Sequence, residues 1–314
     1  MKNGKIGIFG RDDDPEVELL KRRVEDLGAK ATVIDLCGFP RFTRALIEDE
    51  RIIFDDLDLT SLDAFYLRQM GYFSPLPEKE LNKEEWADYF GKYNDYLANE
   101  RETRSFTESV IQILCELRPV VNPYRAAFYH KLKAYQYWTL AASGLAVPDF
   151  AAGNDFFEIR DFLGRIPSVA KPLTGGFVSK YAPQDLDKDK ESLRSHPMLA
   201  QRQISGRMLR SFVVAGRLIG TCEIVHAEGD ADSRHNILAM KAYTLKPAHQ
   251  PIPVKACAVL GMVFAGVDLI LDEKSDTLYV LECNPAPFFR NFEAQTGLPI
   301  SQELAHYLVE KAAK

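Results

Sequence analysis

The chain has 314 residues, enough to bury a full core and to divide into two or three lobes. It is 46% hydrophobic and 27% charged with a formal net charge of −6, the balance of an ordinary globular protein, and it lacks the basic excess of a nucleic-acid-binding surface. No run of about 18 apolar residues offers a membrane-spanning helix, and the opening MKNGKIGIFG has no apolar signal-peptide core. The five cysteines, Cys37, Cys115, Cys222, Cys257 and Cys283, are widely spaced and none pairs at a zinc-ligand interval, so reduced thiols of a cytoplasmic protein are expected.

Lys5 to Phe9 reads as a short apolar strand ended by Gly10. Asp12-Asp13-Asp14-Pro15 supplies an acidic cap and a first-turn proline to a helix running to about Leu27, with Val17, Leu20, Val24 and Leu27 at helical spacing. Ala31 to Leu36 is the next strand, so the chain opens with a β-α-β unit and a parallel sheet. The glycine-rich dinucleotide fingerprint is missing, and acids follow Gly10 where a pyrophosphate would sit, which argues against a nicotinamide or flavin cofactor. Arg51 to Phe54 and Ala64 to Arg68 read as further strands of this lobe. Arg68, at a strand's carboxyl end, either reaches a substrate or makes a surface salt bridge. Residues 78 to 118 carry Trp86, Tyr89, Phe90, Tyr93, Tyr96 and Leu97 at helical spacing and predict one or two long helices, the aromatic stripe being core or dimer contact. Val120-Val121 closes the lobe as a short strand.

Ala126 to Ala142 predicts a helix capped by Gly144. Ser168 to Lys171 is a strand running into Gly175-Gly176, with Phe177 to Tyr181 as the return strand. A lysine at a strand end before two glycines suits a phosphate, and it equally suits a plain hairpin turn. Met198 to Ile204 is another short strand. Met208 to Ala215 and Arg217 to His226 form a hairpin about Gly216, which puts Arg210 on one face with Phe212 and Val214. An arginine there wants an anion, either a ligand or a structural carboxylate. A polar loop, Ala231 to Asn236, and a helix, Ile252 to Val263, follow.

Residues 265 to 285, AGVDLILDEKSDTLYVLECNP, predict two strands, Gly266 to Leu271 and Leu278 to Cys283. If they turn symmetrically about Ser275, Asp268 lies opposite Glu282 with Asn284 one step beyond. Leu278, Val280, Glu282 and Asn284 then share one face, and Tyr279, Leu281 and Cys283 the other. Opposed like charges destabilise a bare sheet. A hard divalent cation on Asp268, Glu282 and the Asn284 amide oxygen removes the conflict, as does a hairpin with its acids in water. A one-residue slip would break the opposition.

D-L-I-L, then L-E-C-N-P and P-F-F-R-N-F-E-A-Q-T-G, resemble the metal-binding end of ATP-grasp ligases, especially the RimK-like branch. The N-P, H-K-L and S-G-L-A-V-P segments resemble the entry to the same domain, so the resemblance runs from about residue 120 onward. It implies an α/β (α+β) ATP-grasp fold: an N-terminal parallel-sheet lobe (1–122), a central small lobe (123–203) and a C-terminal lobe (204–314), the α+β lobes clamping a nucleotide. It implies ATP with Mg²⁺, Mn²⁺ being the alternative ion, and Asp268, Glu282 and Asn284 as metal ligands. Lys131 and Lys171 would contact phosphates, Gly175 and Gly176 would close over them, and Gln201, Arg202, Gln203 and Ile204 would follow the adenine edge. Arg210, Arg234 and Asn236 would serve the reacting phosphoryl group and the acceptor. Two positions depart from the family: Met208 stands where relatives often carry a ribose-binding acid, and Phe288 or Phe289 where they often have glycine. The implied reaction is ATP-dependent carboxylate–amine ligation through an acyl phosphate. The alternatives are a ligase that cyclises a ribosomally made peptide, or a non-catalytic ATP-binding regulator. The partners implied are a carboxylate and an amine, from an amino acid or a peptide, with no membrane or nucleic acid and with a homo-oligomer left open.

Overall fold

The computed structural model describes residues 4–36, 39–40, 42–69, 82–174, 179–226 and 237–314, apart from the side chains of 87–96. The chain divides into two compact units, Met1–Tyr124 with Leu304–Lys314, and Arg125–Glu303.

The first unit opens with β1 (Lys5–Phe9), α1 (Pro15–Asp26) and β2 (Lys30–Ile34), with β1 and β2 parallel. Asp14 caps α1 by accepting the Glu16 N–H, and Pro15 fills the first turn, where no donor is needed. Val17, Leu20 and Val24 are fully buried. The strands β3 (Ala45–Glu48), β4 (Arg51–Phe54) and β5 (Leu57–Asp58) form a separate antiparallel meander. Arg51–Phe54 is a strand of this lobe, as expected, and lies in a small sheet apart from the parallel one. Asp49 and Asp55, at φ 51° and 49°, make tight reversals, and connections that short permit only antiparallel pairing. After β6 (Ala64–Leu67), α2 (Lys83–Leu117) is a single helix of 35 residues, started by a capping box of Asn82 and Glu85. Trp86 is partly exposed, while the expected aromatic positions 89, 90, 93 and 96 lie outside the described side chains. β7 (Val120–Val121) completes a parallel sheet of order β2-β1-β6-β7.

Arg68, expected at the surface or on a substrate, is 8% exposed and bonds Asp14 at 2.8 Å, with Glu16 at 3.6 Å. It ties the end of β6 to the start of α1.

The helix expected over 126–142 is broken. α3 (Tyr124–Ala127) and a 3₁₀ turn (Tyr129–Lys131) precede α4 (Lys133–Ala142), because Leu132 leaves helical geometry at φ −122°, ψ 48°. Next come β8 (Phe150–Gly153), α5 (Phe156–Arg165), β9 (Ser168–Pro172), β10 (Ser179–Tyr181), α6 (Pro183–Lys188), α7 (Lys190–Ser195) and β11 (Met198–Arg202). Their sheet has the order β10-β9-β11-β8, with Ile159, Phe162, Leu163, Leu186 and Leu193 packed on one side.

The larger sheet has the order β14-β13-β12-β15-β16. It is built from β12 (Arg207–Val214), β13 (Arg217–His226), β14 (Ile237–Tyr243), β15 (Phe264–Asp272) and β16 (Thr277–Asn284), all antiparallel. Ala215 and Gly216, at φ 50° and 75°, form the two-residue reversal between β12 and β13. α8 (Pro251–Val259) packs beneath this sheet, so that Leu209, Val267, Leu269, Leu271, Leu278 and Val280 meet Ala256 and Cys257 in one core. α8 ends sooner than expected because Gly261 takes a left-handed φ of 66°. α9 (Arg290–Thr296) and α10 (Ile300–Ala312) follow, and the end of α10 belongs to the first unit.

Candidate functional site

Next to their turn, β15 and β16 pair Leu271 with Leu278, Ile270 with Tyr279 and Leu269 with Val280. The register then shifts, and Asp268 pairs with Glu282, Val267 with Cys283 and Gly266 with Asn284. Leu281 is the extra residue of this bulge. The acids do oppose each other, yet not by the regular alternation expected from the sequence. Leu278 and Val280, 2% and 0% exposed, face the core, and beyond the bulge Cys283 takes that face at 0%. Glu282 and Asn284 are thereby separated from Leu278 and Val280, and Cys283 from Tyr279. A side-chain period of two cannot send two apolar residues inward and the next even position outward, and one inserted residue can.

On the other side of β15, Arg210 of β12 pairs directly with Asp268. Its Nε donates to Oδ1 at 2.6 Å and its Nη2 to Oδ2 at 2.8 Å, a two-point fork, and its guanidinium stands 5.2 Å from the Phe292 ring centre. Enclosure lifts the Glu282 carboxyl above its ordinary value. The charge of Lys133 opposes the lift, Asp268 adds to it, and Lys171 and Arg210 oppose it. The charges of Lys133, Lys171 and Arg210 thus all act on Glu282.

Lys133 opens α4 and is 7% exposed. Its charge acts on Glu282; the expected Lys131 lies in the preceding 3₁₀ turn with Nζ 5.4 Å from the Phe128 ring centre. The buried face of α4 is Lys133, Gln136, Tyr137 and Leu140. The Tyr137 hydroxyl donates to Gln201 Oε1 at 3.3 Å and accepts from Lys171 Nζ at 3.5 Å. Burial pushes that hydroxyl far above its usual value, with Glu282 adding to the effect. The Gln136 amide bonds the Cys283 peptide. Lys133, Gln136 and Tyr137 were missed from the sequence. Their signal was polar side chains at i, i+3 and i+4 in phase with the apolar Leu140.

β11 pairs on both sides at Gln201, which is 2% exposed. Just beyond, the Arg202 and Gln203 N–H groups donate to the Asp149 and Pro167 carbonyls, each at 2.8 Å, and Ile204 is half-buried. Met208 pairs with Ile270. Phe289 is fully buried against Phe264, while Phe288 is 63% exposed. Gly175, Gly176, Arg234 and Asn236 lie outside the described residues.

Two carboxylates, one lifted by burial, and an amide oxygen form a donor set that suits a hard cation. Asn284 Oδ1 accepts the Ala286 N–H at 3.0 Å, which orients the amide. Among the described residues no group of three or more His, Cys, Asp or Glu side chains could hold a metal ion. Oxygens from a bound phosphate would have to complete the shell, and the surrounding lysines suit that phosphate.

The RimK-like ATP-grasp domain family matches residues 131–308, more than half of the chain. The chain belongs to the RimK-like ATP-grasp family. Over 189 residues it is 26% identical to a probable alpha-L-glutamate ligase 1 of Shewanella sp. (strain ANA-3), covering 57% of this chain and 62% of that one. The chain thus spans between 39% and 64% of the length of such curated relatives. Its ATP-grasp fold extends further than this sequence similarity. The ATP-grasp ligase PsnB, complexed with a phosphomimetic variant of minimal precursor, Mg and ADP, superposes with a TM-score of 0.82 at 24% identity over 99% of both chains. The macrocyclase MdnC of Microcystis aeruginosa MRC, bound with precursor peptide MdnA, gives 0.76 at 22% identity over 97% of this chain and 99% of that one.

Among the described residues no helix is long and apolar enough to cross a membrane.

Proposed function

We propose that this protein is an ATP-dependent carboxylate–amine ligase. The observation that carries the reading is the opposition of Asp268 and Glu282 within reach of the charges of Lys133, Lys171 and Arg210. A pair of acids that shares a cation, with lysines around it, is the electrostatic requirement of a metal-bound polyphosphate. When bound, ATP with Mg²⁺ supplies a phosphoryl group that turns a carboxylate into an acyl phosphate, which an amine then converts to an amide with release of phosphate.

The chain's own residues divide this work. Asp268, Glu282 and Asn284 hold the metal. Lys133 and Lys171 hold phosphate oxygens, and the Tyr137 hydroxyl fixes the Lys171 ammonium. Gln201 to Ile204 follow the base. The N–H groups of Arg202 and Gln203 are engaged with the protein, so hydrogen bonding to the adenine edge falls to the carbonyls of this segment and to Ile204. Arg210 orients Asp268 and sets a positive charge beside the reacting phosphoryl group. Arg234 and Asn236 are assigned to the acceptor side by family resemblance alone, and Gly175 with Gly176 to the phosphate loop on the same ground.

A second observation favours a peptide as the substrate. The fold matches PsnB and MdnC across nearly the whole chain, whereas similarity to the curated glutamate ligases covers 57% of it. On this reading the ligase joins side chains of a ribosomally made peptide. The test is incubation with ATP and Mg²⁺ alongside two pools, one of free amino acids and dicarboxylates, the other of small acidic peptides encoded beside the gene. ADP and phosphate release is followed together with loss of one water per bond by mass spectrometry. Turnover with the peptides alone supports the second reading. ATP binding without turnover on either pool moves the protein to a regulatory class.

A further inference from the structure

We propose that Gln136 is a positioning residue for the metal-binding strand: its side-chain amide replaces a missing sheet neighbour and holds the bulged register of β16. β16 is the last strand in its sheet. At Cys283 the peptide N–H donates to Gln136 Oε1 at 2.6 Å, and Gln136 Nε2 donates to the Cys283 carbonyl at 3.2 Å. A carboxamide that accepts from and donates to one residue makes the same pair of bonds as a facing strand. Nε2 also lies 3.4 Å from the Tyr129 carbonyl, and the side chain is 3% exposed, so the amide is fixed from both sides.

The position of this clamp gives it a function beyond satisfying a buried amide. Cys283 lies between Glu282 and Asn284 and two residues past Leu281, the extra residue of the bulge. Continuing the regular register of 277–280 would turn Glu282 to the core face, alongside Leu278 and Val280. A bulge gives up ladder bonds at the point where it forms. The two bonds to Gln136 fall in the first stretch after it and favour the shifted register over the straight one. Lys133 and Tyr137 flank Gln136 on the same buried face of α4. One side chain thus fixes the strand bearing the acids against the helix bearing the cations.

The inference rests on the reading of Asp268, Glu282 and Asn284 as metal ligands. Its test is calorimetric titration of the full-length protein with ADP, with and without Mg²⁺, for the wild type and Gln136→Leu. The Mg²⁺-dependent gain in ADP affinity should fall by about tenfold or more, the usual effect of losing a residue that orients metal ligands. ADP affinity without metal should stay within about twofold, because Lys133, Lys171 and Tyr137 are untouched. Exchange of the Cys283 amide hydrogen should speed up in the variant. If Gln136→Leu does not fold, Gln136→Asn, which is too short to span both bonds, should show a smaller loss in the same direction. An unchanged Mg²⁺ gain, or equal losses with and without metal, would overturn the positioning role. A wild type that binds no ADP at all would instead overturn the nucleotide reading beneath it.

Discussion

Arg210 and Asp268 stand directly across from each other on β12 and β15 and close a two-point ion pair at 2.6 and 2.8 Å. Both side chains are mostly enclosed, 17% and 20% exposed, so removing one partner leaves the other charged and poorly solvated. Arg210→Met should lower unfolding free energy by about 3 kcal/mol in urea titration. The double variant Arg210→Met with Asp268→Leu should recover most of that loss while binding no Mg²⁺–nucleotide. If the single variant is as stable as wild type, the pair has no structural role.

Glu282 carries the opposite balance. Its carboxyl is raised by burial, so the stability it contributes is fully present below the unfolded carboxylate value and is lost as pH rises through the higher folded value. At neutral pH the ligand-free protein therefore bears the cost of partly burying this acid. Glu282→Gln should be at least as stable as wild type near neutrality in thermal unfolding, with the gap closing toward about pH 4. The same variant should lose turnover and bind Mg²⁺–nucleotide weakly. Full activity in Glu282→Gln would contradict the role assigned to this acid.

In the first unit the sign reverses. Burial raises the Asp14 carboxyl, but the Arg68 hydrogen bond and charge, together with the Glu16 N–H, outweigh it and hold it below its usual value. That stabilisation is present above the unfolded value and is lost as pH falls through the folded one, in the range below about pH 4. Asp14→Asn keeps a helix cap but gives up the ion pair. It should cost about 2–3 kcal/mol at neutral pH and flatten the acid limb of the stability curve, as read by denaturant titration across pH.

Gly266 is required by close approach. A Cβ there would lie 2.8 Å from Pro287 Cβ and 3.3 Å from its Cγ, in the segment that leads from Asn284 to α9. Gly266→Ala must push that segment away. A stability loss of about 1–3 kcal/mol is expected, with a drop in Mg²⁺–nucleotide affinity measured in the same preparation.

Tyr137→Phe removes only the hydroxyl between Lys171 and Gln201. Folding stability should change by about 1 kcal/mol. Nucleotide affinity should fall by a larger factor for ATP than for adenosine, since Lys171 and not the base loses its support. Equal effects on both ligands in a competition assay would argue against phosphate contact by Lys171.

Much of this architecture was legible locally. Val17, Leu20 and Val24 at helical spacing behind Asp14-Pro15 define α1, Ala215-Gly216 defines a hairpin, and counting from Ser275 sets Asp268 against Glu282. Each depends on neighbours within a few residues, where φ/ψ preference and side-chain period act directly. The E-x-N segment also carried the resemblance to the family, whose model matches residues 131–308.

What only tertiary packing decided lies where two distant segments compete. The bulge at Leu281 arises because Leu278, Val280 and Cys283 must all reach one core while Glu282 must not. The break at Leu132 makes Lys133 the lysine buried beside Glu282, and helical spacing did not reveal it. Gln136 meets Cys283 across 147 residues of chain, and nothing near either residue announces the other. The sequence by itself determined which elements form and which residues can bear the chemistry. The fold alone decided which of them share a face, because burial depends on partners that a local pattern does not contain.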